Sequence, residues 1–407
     1  MKKITTLILG VSVSFSVLAQ KKELKNVEKL IKRSNFTEAA ESIKGLESLS
    51  KGTEYESYYY FLLGKIAFGD EEEASEEKDY PTAAVNFYKT LDVEYKAEKQ
   101  KYSEKAISYL NIINDSYFKK LGDYLKKEDY KNAGDVYETL YNIRPERKDL
   151  LENLLNCRIN EKDYPAVAKI TEKMLKLLGD KTFSAFNKHT LRDNEFFKKE
   201  DRDKAIKEAT HITPGEIVVD KAVREEYYNN LILIYDQQGN IEKELAKLKE
   251  AKKEFPNNVR FFENYASVIY KTGDKEAYIK AVEETLELDE NNKNLWYNLG
   301  VISQNIGNTE KAVSAYNKVI ALDPKYRNAY INKGVIIIGQ EQEIVEELNK
   351  NRGTKKYSEI KDKLNNMYLE AIPLFEKAYE LKKDEEVRSN LKALYKAVNQ
   401  PEKAKNL

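Results

Sequence analysis

Cysteine, histidine and tryptophan are almost missing from this 407-residue chain, which carries one, two and one of them. A lone Cys157 excludes an internal disulfide, and its place in the apolar run LLENLLNCRI reads as a small buried thiol rather than a reactive one. His189 and His211 stand 211 − 189 = 22 residues apart with no cysteine and no zinc-type carboxylate spacing nearby, so no metal site is expected. The phosphate-loop, H-E-x-x-H and G-x-S-x-G patterns are all missing, and two distant histidines with one core cysteine make a poor Cys–His pair. No catalytic residue and no cofactor are expected. Charge of one sign is lacking too: 69 basic and 69 acidic residues cancel. Nucleic-acid binding needs a basic excess, and none is present. Only 8 prolines and 16 glycines leave little loop-forming material, while 34% charged residues and 29 tyrosines suit a helix-rich chain that packs with tyrosine.

Long apolar runs are absent apart from Ile4 to Ala19, which follows Lys2 and Lys3 and ends in Val17-Leu18-Ala19. A positive start, a short apolar stretch and a small residue before the cut describe a signal peptide, expected over 1–19. The run is shorter than the about 20 residues needed to span a bilayer, so no stable membrane span is expected after cleavage. No cysteine stands near the cut for lipid attachment. The expected localisation is periplasmic or secreted.

What is present is a period. Gly239, Gly273 and Gly307 are 34 apart, as are Tyr130 and Tyr164, while Pro256 and Pro324 are two periods apart. In NNKNLWYNLGVISQNIGNTEKAVSAYNKVIALDP, Trp296 and Leu299 share one helix face, Gly300 admits a close neighbour, and Gly307 supplies a turn. Ala312 is small where a second helix crosses, Tyr316 fills the next turn, and Pro324 stops it. This order resembles the tetratricopeptide repeat (TPR), whose W-x2-L-G…A-x3-F/Y…P pattern it follows except at Ser303, where the family usually has an aromatic. The resemblance implies an all-α fold, a right-handed α-solenoid of helix-turn-helix repeats.

Repeats are expected over 20–178 and again over 223–407. The first of these spans contains an acidic insertion, Gly69 to Asp79, and the second a charged insertion at 340–364 with a turn at Asn351-Arg352-Gly353-Thr354. Ala371 and Phe375 would resume the register after that insertion. Between 179 and 222 the rhythm is lost, and the segment reads as a degenerate repeat plus a connecting loop, with a helix pair over Phe183–Phe197 and Asp203–Ala209.

One series goes beyond packing. Asn230, Asn264, Asn298 and Asn332 recur every 34 residues, and Asn390 holds the matching slot in the last repeat. Stacked first helices would line these amides along a concave face. There each could pair with the C=O and N–H of an extended peptide, with Tyr270, Tyr297 and Ile331 adding apolar contact. The plain alternative is an amide bonded within the stack. The expected function is a non-catalytic protein-interaction scaffold or assembly factor of the cell envelope with a protein or peptide partner. The alternative is a glycan- or cell-wall-associated module, or an accessory subunit of a secreted enzyme.

Overall fold

A computed structural model describes residues 20–70 and 78–407. The expected signal segment, 1–19, and residues 71–77 of the acidic insertion lie outside the described residues. The chain divides into two compact units between Ile234 and Tyr235.

The N-terminal unit begins with α1 (20–31), α2 (Phe36–Ile43), α3 (Glu47–Ser50), α4 (Glu56–Phe68) and α5 (Tyr80–Lys96). It continues with α6 (Ser103–Lys126), α7 (Tyr130–Ile143), α8 (Lys148–Glu161) and α9 (Tyr164–Leu177). Consecutive helices pack in pairs, and the pairing rests on the residue sizes of the repeat pattern. A Cβ on Gly64 of α4 would stand 2.5 Å from the Phe87 ring of α5, so only glycine lets these two helices approach as they do. Every residue from Ser57 to Leu62 is buried, because α4 is covered on all sides. The tyrosine-rich composition has its explanation here: Phe87 stacks on Tyr109 at 4.9 Å and Tyr58 on Tyr102 at 5.0 Å, so aromatic rings weld α4, α5 and α6 together. Glu94, buried at the end of α5, accepts from the backbone N–H groups of Lys101, Tyr102 and Ser103 and so caps α6.

The turns share one device. The residue before the cap takes a left-handed backbone: Ser34, Glu128 and Lys162 upstream, Gly239, Gly273 and Gly307 downstream. The next residue is an Asn or Asp whose side chain accepts from the N–H three positions on, as Asn35, Asp129, Asp163, Asn240, Asp274 and Asn308 all do. Each such cap stabilises its helix by about 1 kcal/mol.

Residues 179–222 depart from the expected degenerate helix pair. They fold as strands β1 (Lys181–Asn187) and β2 (Arg192–Phe196), helix α10 (Lys199–Lys207) and strand β3 (His211–Val218). The sheet is antiparallel in the order β2-β1-β3, with Phe183 opposite Phe196 and a register shift after Ala185. Phe183 to Phe197 is therefore a hairpin. Its small core joins Ala185 and Phe196 of the strands to Ala205 of α10. The expected helix at 203–209 corresponds to the second half of α10. The sheet docks on the α7–α8 connection: Phe197 N–H donates to the Glu146 carbonyl at 3.2 Å, and Lys148 bridges to Glu195 at 2.9 Å. Cys157 is buried, and burial pushes its thiol pKa up. Helix α11 (Lys221–Gln237) carries the chain across the division.

The C-terminal unit consists of helix pairs. Its elements are α12 (Ile241–Glu254), α13 (Val259–Thr272), α14 (Lys275–Leu286), α15 (Lys293–Asn305) and α16 (Thr309–Leu322). Then come α17 (Arg327–Ile338), α18 (Glu341–Lys350), α19 (Lys356–Leu381), α20 (Glu385–Ala397) and α21 (Pro401–Lys405). Gly300 of α15 faces the Tyr316 ring of α16, and Gly334 of α17 faces the Phe375 ring of α19, the same contact that Gly64 makes with Phe87. Ala371 and Phe375 thus hold their expected slots. The insertion consists of α18, a turn over 351–355 and the first turns of α19. All-helical architecture in tandem pairs is the outcome, with the three-stranded sheet as its one departure among the described residues.

Candidate functional site

In the C-terminal unit a groove of about 440 Å³ runs between α13 and α15. First helices form its walls: Glu263, Ala266, Ser267 and Tyr270 from α13, and Leu295, Asn298, Val301, Ile302 and Asn305 from α15. The floor is Tyr278 of α14, whose ring packs 5.2 Å from Tyr270. Tyr270 is 61% exposed, a large aromatic left open at the rim. Burial and the nearby Tyr270 ring raise the Tyr278 hydroxyl pKa, and a hydrogen bond with Asn298 opposes that rise. Among the described residues, Glu263 is the only charged side chain lining the groove. The surface can therefore offer amides, a carboxylate and apolar side chains, but no cationic clamp.

The structure sorts the residues singled out by spacing. Tyr270 and Asn298 come together in the groove, with Asn298 exposed. Asn332 is half-buried and donates both amide protons within the stack, to the Tyr297 hydroxyl at 3.2 Å and the Tyr316 hydroxyl at 3.1 Å. Tyr297 is itself packed, with ring centroids 5.0 Å from Tyr326 and 5.9 Å from Tyr316. Ile331 packs against the core formed by α19 and α20. Asn264 and Asn390 are half-buried on α13 and α20. In the N-terminal unit, Asn230 lines a separate cavity of about 330 Å³ with Asn153, Asn156 and Tyr227. Asn153 and Asn156 were not singled out, since the α8 segment lacks the aromatic two positions before the slot that marks the downstream series. Ser267 and Val301 are inner-face positions one turn from Asn264 and Asn298 in the sequence, and Asn305, two turns from Asn298, could have been found from the same face.

Both histidines lie in the sheet region. His211 is buried, and its Nε2 lies 2.9 Å from the Asn194 amide nitrogen and 3.4 Å from that of Asn187. Accepting those donors places its proton on Nδ1, which donates to Thr210 Oγ1 at 2.7 Å. Burial, then the charges of Arg147 and Arg144, push its pKa down to about 3. Among the described residues no helix is long and apolar enough to cross a membrane.

Comparison with known proteins gives one family match. Residues 294–326 match the family model of the tetratricopeptide repeat. No curated protein matches the chain. Among solved structures, a crystal structure of MamA protein is 18% identical, with 44% of this chain and 85% of that one covered and a TM-score of 0.32. MamA 41-end from Desulfovibrio magneticus RS-1 is 19% identical, covering 44% of this chain and 89% of that one, with a TM-score of 0.32. YrrB, described as a TPR protein with an unusual peptide-binding site, is 15% identical over 64% of this chain and 100% of its own, again at 0.32. Superposition at that level carries no functional argument. The matched residues are the α15–α16 pair itself, with Gly300 against Tyr316 and the Gly307–Asn308 turn, so residues 294–326 form a tetratricopeptide repeat.

Proposed function

We propose that the chain is a non-catalytic scaffold that holds an extended peptide segment of a protein partner in the groove between α13 and α15. The supporting observation is that groove: an exposed Tyr270 and Asn298 beside Ser267, Val301 and Ile302, on a surface walled by first helices. Amides give and accept hydrogen bonds with a peptide backbone whatever its side chains, and the aromatic rim supplies an anchor. With Glu263 the one charge lining it, the groove favours neutral or basic segments over acidic C-termini. The Asn332, Tyr297 and Ile331 contacts favour the in-stack role for those three, so the binding surface proposed here rests on Tyr270 and Asn298. An envelope location belongs to the same proposal and rests on the sequence of residues 1–19.

The test is selection of extended peptides on the purified chain, followed by anisotropy titration of the recovered sequences. Ser267→Arg fills the groove and Tyr270→Ala removes the anchor, and each is expected to weaken binding about tenfold or more, equivalent to about 1.4 kcal/mol. Equal affinity for the wild type and both folded variants would remove the groove from consideration. Mass spectrometry of the chain recovered from the envelope fraction checks the location; an N-terminus at Gln20 is expected, and an intact Met1 in the cytoplasm contradicts export.

A further inference from the structure

We propose that the cavity between α6 and the sheet of the N-terminal unit binds a neutral, polyhydroxylated small molecule of the saccharide class. This site is independent of the peptide groove, since it lies wholly in the other unit. Its volume is about 540 Å³, within the about 300–1,000 Å³ usual for small-molecule sites.

Two walls build it. One is a face of α6, where Ser103, Asn111 and Asn114 follow helical spacing. The other is the segment between α10 and β3, Glu208 to Thr210, together with the turn after β1. His189 in that turn reaches back across to Asp115 of α6, Nε2 to Oδ1 at 2.7 Å, and ties the walls together. Thr210 is held in place from behind, donating to the Ala205 carbonyl at 2.9 Å while accepting from His211.

A second, independent observation points to a ligand. Glu208 lines the cavity, is 5% exposed, and its Oε2 is buried with no hydrogen-bond partner. Its neighbours do not satisfy it: Lys204 Nζ lies 3.7 Å from the other oxygen, and Arg144 is held by Glu146. A buried polar atom left unpaired is costly, so a group kept in that state beside a cavity calls for a partner. Burial raises the Glu208 carboxyl pKa above its ordinary value.

The lining selects the class. Its amides and hydroxyls both donate and accept, as sugar hydroxyls do. Lys188 shares the lining with Glu104 and Glu208, so neither an anion nor a cation meets a surface of one opposite sign. Tyr88, backed by the Arg144 guanidinium 4.1 Å from its centroid, gives a rigid flat wall for the C–H face of a sugar ring.

The experiment titrates the full chain calorimetrically with glucose, galactose, mannose and N-acetylglucosamine, their disaccharides, and inorganic phosphate as the anionic probe. At least one saccharide is expected to bind with a Kd below about 1 mM. Asn111→Leu and Asn114→Leu, which keep side-chain size and lose the amide, are expected to weaken it about tenfold or more, with an unchanged circular dichroism spectrum. Asn298→Ala, in the other unit, should leave it unaltered. The proposal is overturned if no saccharide binds at that level, if only phosphate binds, or if both folded leucine variants retain wild-type affinity.

Discussion

Adding one methyl group at two helical glycines should move stability in opposite directions. Gly122 sits inside α6 with nothing within 4 Å of a Cβ built there, so Gly122→Ala is expected to gain the helix-propensity difference of about 1 kcal/mol. Gly300→Ala gains the same term but places its Cβ 2.5, 2.8 and 2.9 Å from three atoms of the Tyr316 ring. That ring is fully buried and cannot retreat: its hydroxyl is tied to Gln304 at 3.0 Å and Asn332 at 3.1 Å, and the Tyr297 ring flanks it. Overpacking of this kind costs about 1–3 kcal/mol, and three ring atoms inside 3 Å put this site at the upper end, leaving Gly300→Ala a net loss of up to about 2 kcal/mol. Urea unfolding is the assay, and the protein supplies its own local probe. Trp296, the single tryptophan, lies on the same helix as Gly300, so its fluorescence reports the C-terminal unit while far-ultraviolet circular dichroism reports both. Because the chain has two units, a single two-state fit is not assumed, and the Trp296 midpoint is read directly. For a loss near that limit and m-values of about 1–3 kcal/mol per molar urea, the expected fall is about 0.7–2 M. A Gly300→Ala midpoint that rises would refute the claim that the α15–α16 crossing is closed by ring contact.

Four further outcomes are expected. His211 titrates near 6.5 when unfolded but is pushed down to about 3 when folded, so the unfolded chain binds more protons between those values. Its contribution is fully present above pH 6.5 and is lost as pH falls toward 3, at up to about 1.4 kcal/mol per pH unit; thermal melts of the N-terminal unit between pH 7 and 5 check this. Lys162 holds φ 63° at the end of α8, and Lys162→Gly should raise the melting temperature through relief of about 1 kcal/mol of left-handed strain. Ser303 Oγ is buried and unpartnered, so Ser303→Ala is expected to be neutral or to stabilise by up to about 1 kcal/mol in the same urea assay. Asn332→Ala takes a donor from the Tyr297 and Tyr316 hydroxyls, the latter keeping its bond to Gln304, and should destabilise by about 1–2 kcal/mol; no change would return Asn332 to the pool of binding residues.

The helix pairs were legible because their small-and-large order is a packing requirement: Gly300 with Tyr316 and Gly334 with Phe375 can be read without coordinates. The upstream turns were harder. Ser34, Glu128 and Lys162 adopt the left-handed backbone that Gly239, Gly273 and Gly307 advertise by composition, so the glycine period fades while the geometry persists. The caps carry the signal that survives: Asp129 and Asp163 are 34 apart, as are Asn240 and Asp274. The sheet was illegible for a different reason. Its interior includes Asn187, Asn194 and His211, which satisfy one another, so no apolar alternation marks it. As for the site, spacing identified a row of asparagines but not their hydrogen bonds. Asn298 faces solvent while bonding Tyr278, and Asn332 is taken up by Tyr297 and Tyr316, a difference set by the neighbouring helices. The saccharide cavity has walls from α6 and from residues near 210, which no local pattern connects.

The sheet also changes how the two units should fold. Repeats that touch only their neighbours gain structure from local contacts and can fray stepwise from an end, as the helix pairs after Tyr235 are arranged to do. The N-terminal unit is laced differently. His189 reaches Asp115, Lys148 reaches Glu195, and Lys204 reaches Asp92 at 2.9 Å, each closing a long loop of chain before any of its energy is recovered. Such ties raise contact order, which slows folding, and bind several helix pairs into one cooperative block. Hydrogen exchange should accordingly find a graded profile in the C-terminal unit and near-uniform protection across the helices that the sheet ties together.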